Sequence, residues 1–92
     1  MEIRDLNPKD LIALTIFFGK SAVMPICVKL NQLGIEISES TVRARLSEML
    51  REGTVQPINQ RHPSRYCLTV SGEDHIATVT TRLTDEQLSM MA

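Results

Sequence analysis

The most regular hydrophobic pattern of the chain lies in residues 38–53. Four apolar residues there recur at helical spacing, and polar or small residues separate them. These apolar residues are Val42, Leu46, Met49 and Leu50. Ser38 is a good N-cap residue, and Gly53 is a typical residue at the end of a helix. The pattern predicts an amphipathic helix over residues 39–52, with its polar face turned away from the core.

Two further helices are predicted before this one. Asn7 is a good N-cap, Pro8 suits the first helical position, and Asp10 complements the positive end of the helix dipole. The helix that begins there runs to about residue 18 and has almost no polar face, so other elements should cover it on more than one side. Its apolar residues are Leu11, Ile12, Leu14, Ile16, Phe17 and Phe18. A second helix is predicted over residues 21–33, and Gly34 ends it.

Short extended segments are predicted on both sides of the amphipathic helix. Residues 35–37 alternate apolar and polar over a length too short for a helix, which predicts a short strand. Residues 54–58 and 65–69 flank a polar, turn-rich stretch and predict a β-hairpin. Tyr66 and Leu68 alternate with more polar positions and should point inward.

The tail, residues 70–92, is predicted to be helical again. Thr84 and Gln87 have the spacing of a capping box, which predicts that a new short helix starts there. The apolar positions of the tail permit three interpretations: core of the same chain, frayed tail, or contact surface for a second copy. We expect this extension to form a dimer interface. Its predicted contact residues are Ile76, Val79, Leu83, Leu88 and Met91.

Length and composition limit the class of protein. The 92 residues predict a single domain, residues 1–92, and the 3% aromatic content means that the core is built mainly from Ile, Leu, Val and Met. The longest apolar run, residues 11–18, is too short to cross a membrane. The first residues lack the pattern of an export signal, so we expect a cytoplasmic protein with no membrane contact.

Candidate chemistry is sparse. Cys27 and Cys67 form no CxxC pair, and His62 and His75 are also far apart in sequence, so the spacing of a zinc site is absent. We recognise no nucleophile beside a base, no glycine-rich phosphate loop and no pair of carboxylates in a pocket-forming context. The sequence therefore predicts a protein that is not an enzyme and that uses no metal or cofactor. It gives no indication of a small-molecule effector.

The charge of the chain is small overall but unevenly distributed. The formal net charge is −1. Residues 1–37 are balanced, residues 38–70 carry five arginines against three glutamates for a net +2, and residues 71–92 carry a net −3. The positive part contains the amphipathic helix and the hairpin. These two elements are therefore the candidates for contact with a polyanion.

The predicted order of helix, helix, short strand, helix, hairpin and helix resembles the winged helix-turn-helix superfamily over nearly the whole chain. Residues 40–55 are similar to the recognition helix of that superfamily. Residues 65–72 are similar to the Tyr-x-Leu-Thr-x-x-Gly pattern that closes the wing, the β-hairpin, in MarR-type and PadR-type repressors. No motif selects a subfamily. The resemblance implies an α+β, mostly helical fold with a three-helix core, a wing of two or three strands and a C-terminal helix.

The same resemblance implies a sequence-specific regulator of transcription that binds double-stranded DNA. In this interpretation helix 39–52 enters the major groove, and the wing, residues 54–69, contacts the backbone or the minor groove. The residues implied for the groove are Ser40, Thr41, Arg43, Ala44, Arg45 and Ser47. Those implied for the wing are Arg61, His62 and Arg65. A homodimer would bind a palindromic site with half-sites about one helical turn apart.

Two other interpretations stay open. The arginines of helix 39–52 have glutamates three and four residues away, so they also suit a solvated face with local ion pairs. A winged helix that has lost DNA binding and serves as a protein-interaction adaptor is the alternative function, and the net charge of −1 fits it. Glu39, near the start of the predicted recognition helix, would repel phosphate.

Overall fold

The computed structural model describes residues 2–59 and 65–92 and shows an α+β protein that is mostly helical. A short 3-10 helix, Ile3–Asp5, comes first. The three helices of the core follow: α1 (Pro8–Phe17), α2 (Val23–Gln32) and α3 (Glu39–Glu52). An antiparallel hairpin of β1 (Val55–Asn59) and β2 (Arg65–Leu68) leads into α4 (Val70–Thr80) and α5 (Asp85–Met91). No helix in the described ranges has the length and apolarity to cross a membrane.

Helix α1 lies at the centre of the core. The Asn7 side chain accepts a hydrogen bond from the backbone N–H of Asp10, as the sequence predicts for an N-cap. All six residues from Leu11 to Ile16 are buried, and Thr15 among them satisfies its hydroxyl by donating to the Leu11 carbonyl at 2.7 Å. Helices α2, α3 and α4 and strand β2 pack around α1. The predicted apolar run extends too far, however, because Phe17 is 51% exposed.

The turn between α2 and α3 differs from the prediction. Residues 35–37 form no strand, and two of their backbone groups bind to α2 instead. The Asn31 side-chain amide donates to the Ile37 carbonyl at 3.1 Å, and the Cys27 thiol donates to the same oxygen at 3.2 Å. The Ile35 N–H donates to the Leu30 carbonyl at 3.0 Å. These bonds fix the angle at which α3 leaves α2.

Helix α3 begins and ends where the sequence predicts. The Ser38 hydroxyl accepts from the Thr41 N–H at 3.2 Å, and Gly53 ends the helix in the left-handed region at φ +79°. Val42, Leu46 and Met49 are buried against α1, α2 and β1. Leu50, which the sequence pattern also assigns to the apolar face, is 37% exposed.

The wing is a two-stranded sheet with one additional bridge. Leu68 pairs with Val55, both residues are buried, and the register shifts by one residue between Pro57 and Asn59. Ala22, just before α2, forms an isolated antiparallel bridge with Arg65. The Tyr66 N–H donates to the Ser21 carbonyl at 2.8 Å. The third extended segment beside the hairpin is therefore residues 21–22, whereas the sequence predicts its short strand at residues 35–37.

The junction of the wing with α4 is tightly packed. The Thr69 side chain caps α4 by accepting from the Gly72 N–H at 3.1 Å, and its hydroxyl donates to the Gly53 carbonyl. The Thr69 N–H donates to the Thr54 carbonyl at 3.0 Å. A Cβ atom at position 72 would overlap the carbonyl oxygen of Thr54. The Thr-x-x-Gly part of the wing pattern thus joins the end of α3, the hairpin and the start of α4.

The tail folds back onto the core of the same chain. Thr84 and Gln87 form the predicted capping box at the start of α5. Four of the five residues predicted for a dimer interface are buried in the single chain: Ile76, Val79, Leu83 and Met91. The fifth, Leu88, is partly buried against the same core. The structure corrects the predicted role of the four buried side chains, because their apolar surface is already covered within one chain. The predicted role of Leu88 stays a prediction, since part of its side chain is exposed.

Candidate nucleic-acid interface

One face of α3 is open to solvent from the first turn to the last. Four exposed residues recur on it three or four positions apart and therefore lie in one line along the helix. They are Ser40, Ala44, Ser47 and Arg51. We call this line the outer stripe of α3. Three of its four side chains are small, so a flat or concave partner can approach the helix backbone closely there.

Arg43 flanks the outer stripe. It follows Ser40 by three residues and precedes Ser47 by four, and 65% of its side chain is exposed. Its Nη1 lies 3.6 Å from Glu39 Oε2. An exposed pair with this i,i+4 spacing contributes only about 0.3–0.5 kcal/mol, so a phosphate can replace the carboxylate as partner at little cost.

Arg45 lies on a different side of the helix. Only 36% of its side chain is exposed, its Nη2 is 3.2 Å from Glu48 Oε1, and Glu48 also contacts Lys9 of α1 at 3.4 Å. Its buried Nε has no hydrogen-bond partner among the described residues. The structure therefore places Arg45 on the flank of α3 that faces α1, apart from the outer stripe with which the sequence prediction grouped it. Thr41 lies between Arg45 and the outer stripe. It is exposed, and its hydroxyl is 3.0 Å from the Ser38 hydroxyl at the N-cap.

Lys9, Arg45, Glu48 and Glu52 form one ionic group, the Lys9 cluster, across α1 and α3. Lys9 Nζ is 2.8 Å from Glu52 Oε2. This hydrogen bond is the main reason why the pKa of Lys9 is raised above its ordinary value of 10.5, and the charge of Glu48 adds to the effect. Within the cluster two cations neutralise two carboxylates. The third acidic residue of α3, Glu39, pairs with Arg43.

The wing carries one described residue of the predicted interface. Arg65 begins β2, is exposed, and pairs with Asn59 on one side and Ala22 on the other. Its backbone position is thus fixed from two directions. Arg61 and His62, which the resemblance implies for the tip of the wing, lie outside the described residues.

Solved structures contain a similar arrangement of these elements. The crystal structure of the viral protein SSV1 F-93 matches with a TM-score of 0.64 at 20% sequence identity, and the match covers 84% of this chain and 87% of that one. The chain has a winged-helix fold. At this identity the likeness concerns the fold alone. No protein-family model and no curated protein matches the sequence.

Arg51 lies on the open face of this winged helix, but it is not among the residues that the sequence resemblance implies for the groove. The apolar pattern of α3 does place Arg51 away from the core, and its spacing from Ser40, Ala44 and Ser47 would have assigned it to the outer stripe. The residues that the family resemblance implies for the groove all lie in the first nine positions of α3. On the open face, the structure thus brings together four of the residues implied for the groove, Ser40, Arg43, Ala44 and Ser47, and adds Arg51 to them.

The described residues offer no grouping for metal chemistry. No three histidine, cysteine, aspartate or glutamate side chains in residues 2–59 and 65–92 are placed to hold an ion. His75 of α4 contacts α1, and its Nε2 lies 2.7 Å from Asp10 Oδ1. The open face of α3 therefore remains the surface of this chain with the clearest functional pattern.

Proposed function

We propose that this chain is a transcriptional regulator that binds double-stranded DNA in a sequence-specific manner. In the proposed complex α3 enters the major groove through its outer stripe, and the wing contacts the backbone or the minor groove. The observation that carries the proposal is the open face of α3, on which Ser40, Ala44 and Ser47 are small and exposed and Arg43 and Arg51 supply positive charge.

The chemistry of these side chains suits the edges of base pairs. Arginine can donate two hydrogen bonds to guanine, serine can donate to or accept from several base edges, and the alanine methyl group can contact the thymine methyl group. Each well-formed arginine–guanine pair discriminates against the wrong base by about 1–3 kcal/mol. A short row of such groups is enough to distinguish sequences.

The low charge of the chain sets a limit on affinity. Binding by one copy would neutralise few phosphates, so we expect two copies on a palindromic site to double the phosphate contacts. Four of the five tail side chains predicted for a dimer interface are buried within the chain, so the second copy would meet the first mainly through other residues or only on the DNA.

A protein-interaction adaptor is the second candidate function. A groove between the end of α1 and the wing is lined in part by Phe17 and Ile58, which are 51% and 59% exposed. Exposed apolar side chains beside a groove favour contact with another protein. The two functions predict opposite results in a DNA-binding titration.

The decisive experiment is a fluorescence-anisotropy titration of a labelled mixed-sequence duplex with the full chain at 50 and 200 mM salt. If about three phosphates are contacted, the affinity should fall about 40-fold between these concentrations, because the logarithm of the binding constant falls by about 0.9 per contact for each tenfold rise in salt. Selection from a random pool of duplexes then provides the preferred sequence.

A matched pair of variants tests which surface binds. Ala44→Glu places a carboxylate in the middle of the outer stripe and should abolish binding, because the added charge would lie in the negatively charged major groove. Ala77→Glu makes the same change at an exposed position of α4 and should bind like the unmodified chain. Both variants should unfold at nearly the same temperature as the unmodified chain, since glutamate is a good helix former. Absence of binding by the unmodified chain at 50 mM salt would instead favour the adaptor.

A further inference from the structure

We infer that Arg51 is the second arginine through which α3 contacts DNA, that it binds a backbone phosphate at the edge of the major groove, and that Arg45 instead positions α3 against α1. This inference rests on the proposed function and deepens it. The family resemblance implies Arg45 as a DNA contact, and the inference assigns that contact to Arg51 instead.

The first step concerns the availability of the two guanidinium groups. Arg51 is exposed and forms no ion pair among the described residues. The residues outside the described ranges, 1 and 60–64, include no acidic side chain that could neutralise it. Arg45, in contrast, is bound to Glu48 at 3.2 Å within the Lys9 cluster. The charge of Arg51 is therefore available to a phosphate, whereas the charge of Arg45 is already paired with Glu48.

The second step concerns the place of Arg51 along α3. The helix has 14 residues and is about 21 Å long, whereas the major groove is about 12 Å wide. When the N-terminal turns with Ser40 and Ala44 lie in the groove, the last turn extends to its rim, where the phosphates are. Arg51 is in that last turn and on the same stripe, so its long side chain is directed to the backbone of the DNA.

The third step concerns what Arg45 does where it is. Its partner Glu48 is shared with Lys9 of α1, whose ammonium also binds Glu52 at 2.8 Å. Withdrawing Arg45 from this cluster would leave its carboxylate partner with a single cation. Arg45 binds Glu48 within α3 and so holds that carboxylate where Lys9 of α1 contacts it, which means that Arg45 acts on the orientation of α3 and of the outer stripe through Glu48.

The test compares Arg51→Gln and Arg45→Gln with Arg82→Gln, an exposed arginine after α4 that serves as the matched control. The full-length variants are titrated with the selected duplex at several salt concentrations, and thermal unfolding is followed by circular dichroism. Arg51→Gln should reduce the salt slope by about 0.9 and weaken binding about eightfold at 100 mM salt, because one phosphate contact is lost. Its unfolding midpoint should equal that of the control.

Arg45→Gln should do the reverse: its unfolding midpoint should fall while the salt slope stays that of the unmodified chain. A further variant, Arg51→Lys, distinguishes phosphate from base contact, since a lysine supplies the charge without the bidentate fork. It should retain the slope and the preferred sequence. If it behaves like Arg51→Gln, the phosphate assignment is wrong.

The outcomes separate the inference from the function on which it rests. If the unmodified chain binds DNA and Arg51→Gln has the slope and affinity of Arg82→Gln, the inference is wrong and the proposed function stands. If Arg45→Gln loses slope without loss of stability, the division of roles between the two arginines is wrong. If the unmodified chain binds no duplex at low salt, the proposed function and the inference fall together.

Discussion

At the scale of single residues, Gly72 shows why the end of the wing has its sequence. The residue lies in the first turn of α4, where its amide is bound by the Thr69 cap and its Cα faces the backbone of Thr54. Any side chain would collide with a carbonyl oxygen, and backbone atoms cannot move aside as a flexible side chain can. Glycine therefore allows α4 to approach the segment that connects α3 to β1.

Replacement of this glycine should be destabilising even though alanine is the better helix former. We expect Gly72→Ala to lower the free energy of unfolding by about 1–3 kcal/mol, because the added methyl group must displace the Thr54 backbone. Ser71→Ala, at the exposed neighbouring position, is the control and should change stability little. Urea denaturation of both variants measures the difference, and equal midpoints would contradict the described contact.

At the scale of elements, the sequence predicts helix starts better than partnerships. The caps at Asn7, Ser38, Thr69 and Thr84 each bond a backbone group within three residues, so the local sequence contains both members of the pair. The bridge from Ala22 to Arg65 joins residues far apart in sequence, and so does the contact of Lys9 with Glu52. No local pattern indicates such partners. This is why the predicted strand at residues 35–37 differs from the structure, and why the sequence does not show that Glu48, the partner of Arg45, also binds Lys9.

The tail presents the same difficulty in another form. A stripe of apolar residues on a helix indicates that another surface packs against it. The stripe does not indicate whether that surface belongs to the same chain or to another copy. In the structure, Met91 is 1% exposed and belongs to the same core cluster as Ile3. The open face of α3, by comparison, follows from the sequence because polar and small residues there need no partner.

The role of the tail can be tested at two adjacent methionines. Met91→Ala should lower the free energy of unfolding by about 2–5 kcal/mol, because it leaves a cavity in the core. Met90→Ala, at a position that is 51% exposed, is the matched control and should have a small effect. Thermal unfolding and analytical sedimentation of both variants provide the measurement. Dissociation to monomers by Met91→Ala without loss of stability would return this side chain to a subunit interface.

At the scale of the whole molecule, the arrangement of charge matters more than its sum. The Lys9 cluster gathers Glu48 and Glu52 with two cations on the flank of α3 that faces α1. This leaves Arg43 and Arg51 on the open side, and the remaining acidic residue of α3, Glu39, pairs with Arg43. A chain with a net charge of −1 can in this way present a positive surface.

The raised pKa of Lys9 predicts how stability depends on pH. Because the pKa is higher in the folded chain than its ordinary value of 10.5, the contribution of Lys9 is fully present below pH 10.5 and is lost as the pH rises through the folded value. The contribution is small, since the group is exposed to solvent. We expect the unmodified chain to be more stable than Lys9→Gln at pH 7. This difference in stability should disappear at pH values above the raised pKa of Lys9 in the folded chain. A difference that persists at the highest pH would show that the ammonium charge is not its cause.

The burial of Met91 also has a consequence for biosynthesis. The core cluster that contains Ile3 is complete only when residue 91 has joined it, so translation must pass the last turn of α5 before the first residues of the chain are fully covered. Until then a nascent polypeptide would expose part of its hydrophobic interior. We therefore expect chaperone contact during synthesis to persist until α5 has packed onto the core.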